Sequence, residues 1–85
     1  MADAVYTVVS PVMGTFYRAA GPDEKPLVSV GQTVSAGDVV CIIESMKIFT
    51  ELRADRGGTV SAILVEDEDP VMKDQALVEI TGARP

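Results

Sequence analysis

The chain has 85 residues and a mass of 9.0 kDa, and its 7 Lys and Arg against 13 Asp and Glu give a formal net charge of −6. This charge argues against binding to nucleic acid or to anionic membranes, because both require a cationic face. With no histidine and a single cysteine, the chain lacks an internal disulfide, the usual zinc sites and the Ser-His or Cys-His nucleophile pairs. The longest apolar stretch is about six residues against the ~20 needed to span a bilayer, and the N-terminus has no basic signal-peptide start, so we expect a soluble intracellular protein with protein partners.

Along the chain, short β-branched or aromatic runs predict strands, and clusters of Gly, Pro and Asp predict the turns between them. Turn formers at intervals of about ten residues are typical of an all-β sandwich or flattened barrel. We therefore expect one small all-β domain over residues 1–85, with a core from about residue 5 to residue 81. In chain order, the predicted strands are Val5–Val9, Thr15–Tyr17, Val28–Val30, Val39–Ile43, Ile48–Thr50, Thr59–Val60, Ala62–Val65 and Leu77–Ile80.

The chain also contains a weak internal repeat. Ser10–Phe16 aligns with Ala54–Val60 at an offset of 44 residues, and Val34–Ile43 aligns with Val71–Ile80 at an offset of 37. The first half is therefore about seven residues longer, 44 minus 37. The Gly and Pro residues at about 19–26 predict that these extra residues form a loop. Two such halves predict two interlocked sheets related by a pseudo-twofold axis.

The junction between the halves falls at Ser45 to Ile48, and we expect a hairpin tip there. Lys47 occupies this junction, between Met46 and Ile48. Apolar residues are unusual at an exposed turn, where Asn, Gly and Asp prevail, so their presence indicates recognition by a partner. The alternative is an ordinary surface lysine between partly buried apolar neighbours.

The run Glu44-Ser45-Met46-Lys47-Ile48 resembles the biotin-attachment motif Glu-Ala/Ser-Met-Lys-Met/Ile. A second run, from Pro11 to Arg18, resembles the start of the biotinyl domain in the biotin carboxyl carrier proteins of acetyl-CoA carboxylase. The resemblance extends from about Val8 to Ile80, and the loop at 19–26 is similar to the thumb that these carriers have and lipoyl domains lack. It implies a flattened β-barrel or sandwich of two four-stranded antiparallel sheets, a barrel-sandwich hybrid.

This resemblance implies a non-catalytic carrier that is monomeric as an isolated domain, in the cytoplasm or in a plastid stroma. Biotin protein ligase would join biotin to the amine of Lys47 as an amide. Biotin carboxylase would then load a carboxyl group, and a carboxyltransferase would pass it to an acyl-CoA, in fatty acid synthesis to acetyl-CoA. Ser45, Met46 and Ile48 would flank the attachment site, and Glu44 would either contact the ligase or be only the outward residue of its strand.

The thumb residues Gly21, Pro22, Asp23 and Glu24 would either lie close to the biotin or form a plain surface loop. Elsewhere, the run Glu66–Asp69 lacks the spacing of a calcium loop and is expected to be a solvated acidic turn. Cys41 lies in an apolar strand and is expected to be a small core residue.

Three alternatives remain open at the level of sequence. Ser45 and Ile48 replace the commoner Ala and Met of the motif, which leaves carriers of other biotin-dependent carboxylases possible. A lipoyl carrier of a 2-oxo acid dehydrogenase is disfavoured, because its lysine typically lies in Asp-Lys-Ala and a ligase discriminates through these flanks. The third alternative is an unmodified binding or adaptor module.

Overall fold

The computed structural model describes residues 3–83, with side chains described for residues 4–82. Its strands form two antiparallel four-stranded sheets, in the orders β1-β8-β6-β3 and β5-β4-β2-β7. The strands are β1 (Asp3–Val9), β2 (Gly14–Tyr17), β3 (Thr33–Val34), β4 (Val39–Ser45), β5 (Ile48–Arg53), β6 (Gly58–Ile63), β7 (Pro70–Val71) and β8 (Ala76–Ala83). This architecture confirms the predicted all-β sandwich. Residues 3–83 include no helix long and apolar enough to cross a membrane.

The two sheets have the same internal order, which confirms the predicted pseudo-twofold relation. Replacing β1, β8, β6 and β3 by β5, β4, β2 and β7 converts the first sheet into the second. The register agrees as well, because Phe16 pairs with Ile43 and Val60 pairs with Ile80. These pairs are related by the offsets of 44 and 37 residues that the sequence repeat shows.

A glycine begins β2 and β6 at equivalent positions because another strand passes very close. A β-carbon on Gly58 would lie 2.6 Å from the carbonyl oxygen of Thr81. A β-carbon on Gly14 would collide with the carbonyl of Glu44, which is the equivalent group in the other sheet. Any side chain at these positions would separate the paired strands.

The core lies between the two sheets and is small, in keeping with a Cα radius of gyration of 12.4 Å. Cys41 is part of it, and burial raises the pKa of its thiol to about 12, so the group acts as a small apolar side chain, as predicted. The buried cluster comprises Phe16, Val28, Val34, Val40, Cys41, Ile43, Ala54, Val60, Val71, Leu77, Val78 and Ile80.

The predicted strand Val28–Val30 is wrong. Val28 is buried but lies in irregular chain, and Val30 is an exposed residue of the turn Ser29–Gln32. The N–H of Gln32 donates to the carbonyl of Ser29 at 3.0 Å and closes this turn. Within the turn, Gly31 has a left-handed backbone with φ of +91°. Left-handed Gly31 ends any extended run, so the third strand comes later, at β3.

The predicted division between Thr59–Val60 and Ala62–Val65 is also wrong, because both runs belong mainly to the single strand β6. The register of β6 against β8 shifts between Val60 and Ala62, as in a β-bulge. The extra residue, Ser61, interrupts the alternation of inward and outward side chains and makes one strand look like two. The two-residue strand β7 has no apolar run long enough to predict it.

Candidate functional site

Strands β4 and β5 form a hairpin whose last pair is Ser45 with Ile48. Met46 and Lys47 are the two central residues of its turn, with φ of 53° and 66°. Two consecutive left-handed residues in a two-residue loop define a type I′ turn, which matches the twist of the strands and favours Asn-Gly. Each non-glycine residue in this conformation costs about 1–2 kcal/mol. Turn geometry therefore does not explain the Met-Lys pair.

The side chains of this turn extend into solvent. Met46 is 90% exposed and Ile48 66% exposed, and Lys47 is exposed between them. Among the described side chains, the only ion pair joins Arg53 to Glu51 at 2.9 Å, and none reaches Lys47. The amine of Lys47 is therefore accessible to an incoming enzyme.

Glu44 and Ser45 lie just before the turn, and both are half-buried. Glu44 pairs with Thr15 on one side and Phe49 on the other, so the three side chains share the outer face of this sheet. Ser45 faces the opposite way, like its partner Ile48. The structure thus brings both flanks of Lys47 to the tip but directs Glu44 toward the face that carries Phe49.

The extra residues of the first half form a closed loop between β2 and β3. The N–H of Leu27 donates to the carbonyl of Arg18 at 2.7 Å and closes the loop over residues 19–26. Arg18 also donates from Nη2 to the carbonyl of Val28 at 3.1 Å, and its own N–H donates to Oδ1 of Asp67 at 2.9 Å. Arg18 therefore fastens both ends of this loop, the thumb, to the body of the sandwich.

A groove of about 530 Å³ separates the thumb from the outer face of the second sheet. Its floor is aromatic and apolar, with ring centroids of Tyr17 and Phe49 6.3 Å apart beside Ile42. Its wall is formed by the thumb, including Gly21, Pro22 and Glu24, whereas Asp23 is not among the lining residues.

Sequence reasoning missed Tyr17 and Phe49 as site residues. The available signal was Phe49 itself, an aromatic residue that follows Ile48 directly in an edge strand. One of two consecutive strand residues must point outward, so one large apolar side chain had to be exposed.

A sequence-family model described as "Biotin-requiring enzyme" matches residues 6–80. The chain belongs to this family. Its closed thumb and Lys47 hairpin are therefore features of a member of the biotin-requiring family.

Similar proteins cover most of this chain. It is 49% identical over 73 residues to the biotin carboxyl carrier protein of acetyl-CoA carboxylase from Pseudomonas aeruginosa, covering 86% of this chain and 47% of the relative. It is 49% identical over 71 residues to the chloroplastic biotin carboxyl carrier protein of acetyl-CoA carboxylase 2 from Arabidopsis thaliana, covering 84% of this chain and 28% of that protein. The chain thus spans less than half the length of these curated relatives.

Among solved structures, the urea carboxylase of Kluyveromyces lactis contains a similar region. The two superpose with a TM-score of 0.75 and 32% sequence identity, over 94% of this chain and 6% of the urea carboxylase chain. A short domain of this fold thus also occurs within a much longer chain.

Two of the four acidic side chains in the run Glu66–Asp69 accept hydrogen bonds, one within the turn and one from a residue distant in sequence. Oδ2 of Asp69 accepts from the N–H of Glu66 at 2.9 Å and closes the turn, while Asp67 accepts from Arg18 at the thumb. Across the described part of the chain, no three His, Cys, Asp or Glu side chains are grouped to hold a metal ion. The turn Glu66–Asp69 therefore anchors the thumb through the hydrogen bond from Arg18 to Asp67.

Proposed function

We propose that this chain is the carrier domain of a biotin-dependent carboxylase, with biotin joined to Nζ of Lys47 through an amide. The observation that carries the proposal is the position of Lys47 on a strained, exposed hairpin tip with no partner for its amine among the described side chains. The family match and the names of the relatives support biotin as the attached group.

The chemistry belongs to the attached group, since biotin accepts a carboxyl group in one active site and gives it up in another. The chain itself contributes position and no catalytic residue. The rigid hairpin holds the attachment point clear of the sandwich, and amide formation removes the positive charge of Lys47. Tethering then keeps the carried group at a high effective concentration near both active sites. Its proposed partners are biotin protein ligase, biotin carboxylase and a carboxyltransferase.

The residues around Lys47 are proposed to be recognised by the biotin protein ligase. Met46 and Ile48 present apolar surface on either side of the amine, and Ser45 pairs with Ile48 at the end of the hairpin. Glu44 is proposed as a contact at the rim, where a charge mainly changes the rate of encounter.

The thumb groove is proposed to restrain the biotin rings between visits to the two enzymes. Its volume of about 530 Å³ lies within the roughly 300–1,000 Å³ typical of small-molecule sites. Tyr17 and Phe49 offer flat apolar surfaces, and Gly21, Pro22 and Glu24 face them across the groove. Asp23 is proposed to shape the thumb turn without lining the groove.

Acetyl-CoA is the proposed final acceptor, in fatty acid synthesis in the cytoplasm or plastid stroma. The relatives named for acetyl-CoA carboxylase are 45–49% identical to this chain, whereas the urea carboxylase is 32% identical. The presence of the thumb favours assignment as a biotin carrier over assignment as a lipoyl carrier.

A reconstituted transfer reaction tests this proposal. The chain is first biotinylated by a biotin protein ligase and then mixed with biotin carboxylase, carboxyltransferase, ATP, labelled bicarbonate and acetyl-CoA. We expect label in malonyl-CoA with the wild type and with Lys73→Arg, a matched exposed lysine, and none with Lys47→Arg. Absence of label in malonyl-CoA with the biotinylated wild type would contradict the assignment to acetyl-CoA carboxylase.

A further inference from the structure

Exposed methionines gather at the Lys47 end of the second sheet. Gly14 pairs with Val71, so Met13, just before β2, lies next to Met72, just after β7. Thr15 pairs with Glu44, which places Met13 opposite the turn that contains Met46. Met13 is 63% exposed, Met72 62% and Met46 90%. We call these three residues the methionine edge, and they are three of the four methionines in the chain.

The pseudo-twofold axis supplies an internal control for this edge. At the offsets of 44 and 37 residues, the counterparts of Met13 and Met72 in the other sheet are Gly57 and Ser35. The same strand ends are thus built there from small residues. The fold does not require methionine at these positions, and leaving apolar side chains in water does not stabilise it.

Methionine suits a surface that other proteins must bind. Its unbranched, polarizable side chain adapts to the shape of a partner, and clustered exposed apolar residues mark interaction sites. The edge adjoins Lys47 directly through Met46, so an enzyme that reaches the lysine amine must come close to it.

We propose that the methionine edge is the docking surface for the biotin protein ligase, an inference that rests on the proposed modification of Lys47. Before modification the reactive group is at the end of a four-carbon stem, so the ligase must approach the tip itself. After modification the reacting group lies beyond the end of the lysine side chain, so the carboxylase and transferase need not approach the tip as closely. The ligase is thus the partner whose chemistry demands this contact.

The first test measures biotin attachment in the double variant Met13→Gln/Met72→Gln, which keeps side-chain length and removes apolar character. We expect kcat/KM for attachment to fall about tenfold, mainly through KM, which corresponds to about 1.4 kcal/mol. Val5→Gln is the matched control, because Val5 is an exposed apolar strand residue of the other sheet. It should change kcat/KM less than twofold. Thermal unfolding followed by circular dichroism verifies that both variants fold.

The second test uses the methionines as their own probes. Peroxide oxidises accessible methionine to the sulfoxide, and peptide mass spectrometry measures the rate at each position. With excess ligase and a non-reactive biotinyl-adenylate analogue, we expect oxidation of Met13 and Met72 to slow at least fivefold.

The outcomes separate this inference from the proposed function. Wild-type protein that is never biotinylated contradicts the proposed function. Normal biotinylation with an unchanged kcat/KM in the double variant, or unchanged oxidation rates in the presence of ligase, overturns the docking surface alone. Protection by biotin carboxylase but not by ligase overturns the choice of partner.

Discussion

Met46 is held in a conformation that asparagine adopts more readily, so Met46→Asn should stabilise the protein. Met46 has φ of 53° and is 90% exposed, so the substitution relieves the turn and removes little buried surface. Asparagine is several-fold enriched in the left-handed region, which corresponds to about 1 kcal/mol. For a domain of this size, that gain raises the midpoint of thermal unfolding by about 4–8 °C.

The measurement is thermal unfolding by circular dichroism or calorimetry at pH 7. Val30→Asn is the matched control, because Val30 is also an exposed apolar turn residue but is not among the residues with positive φ. Its melting temperature should stay within about 2 °C of the wild type, as for most surface substitutions. A melting temperature for Met46→Asn at or below that of Val30→Asn would refute the assignment of strain to this turn. Under the proposed function, the stabilised variant should also be biotinylated more slowly, a trade of activity for stability.

Four further predictions concern the framework of the site. Gly58→Ala should lower the free energy of unfolding by about 2–3 kcal/mol in a denaturant titration, because the new β-carbon meets a backbone carbonyl at 2.6 Å. Cys41 should resist iodoacetamide at pH 8 in the native protein and react once unfolded, because the thiolate is the nucleophile and burial raises the pKa of Cys41 to about 12. The raised pKa of Cys41 also makes the free energy of unfolding decrease between about pH 9 and pH 12. In that range the unfolded chain loses the thiol proton of Cys41, whereas the folded chain keeps it. Arg18→Met should speed hydrogen exchange at the Leu27 amide about tenfold, because the thumb loses a charge-assisted hydrogen bond.

Matched variants control for general loosening of the fold. Gly21→Ala should be nearly neutral, since its β-carbon would lie 3.4 Å from the flexible side chain of Glu24. Arg53→Met loses a comparable bond to the carbonyl of Gly37 but should leave exchange at Leu27 unchanged. Equal destabilisation by Gly58→Ala and Gly21→Ala would contradict the close strand approach, and alkylation of native Cys41 would contradict its burial.

The parts of the structure that depend on local pattern were predictable from the sequence. The two offsets of the repeat correctly related the two sheets, and the junction between the halves coincided with the β4–β5 hairpin. Short apolar runs were less reliable predictors of strands, because a buried residue need not belong to a strand. Val28 is buried without being in a strand, and apolar character alone cannot distinguish the two cases.

The groove and the methionine edge could not be predicted, because each depends on contacts between segments distant in sequence. The thumb is positioned by the hydrogen bond between Arg18 and Asp67, which are 49 residues apart. Met13, Met46 and Met72 lie at the same end of the sheet only because β2 pairs with both β4 and β7. No local signal identifies which exposed methionines share an end of a sheet.

Intact-protein mass spectrometry after co-expression with a biotin protein ligase determines whether Lys47 carries biotin. We expect the wild type to gain the mass of one biotin less one water, peptide mapping to locate the gain at Lys47, and Lys47→Arg to show no gain. An unmodified wild-type chain, a gain at Lys25 or Lys73, or modification by a lipoate ligase instead would contradict it.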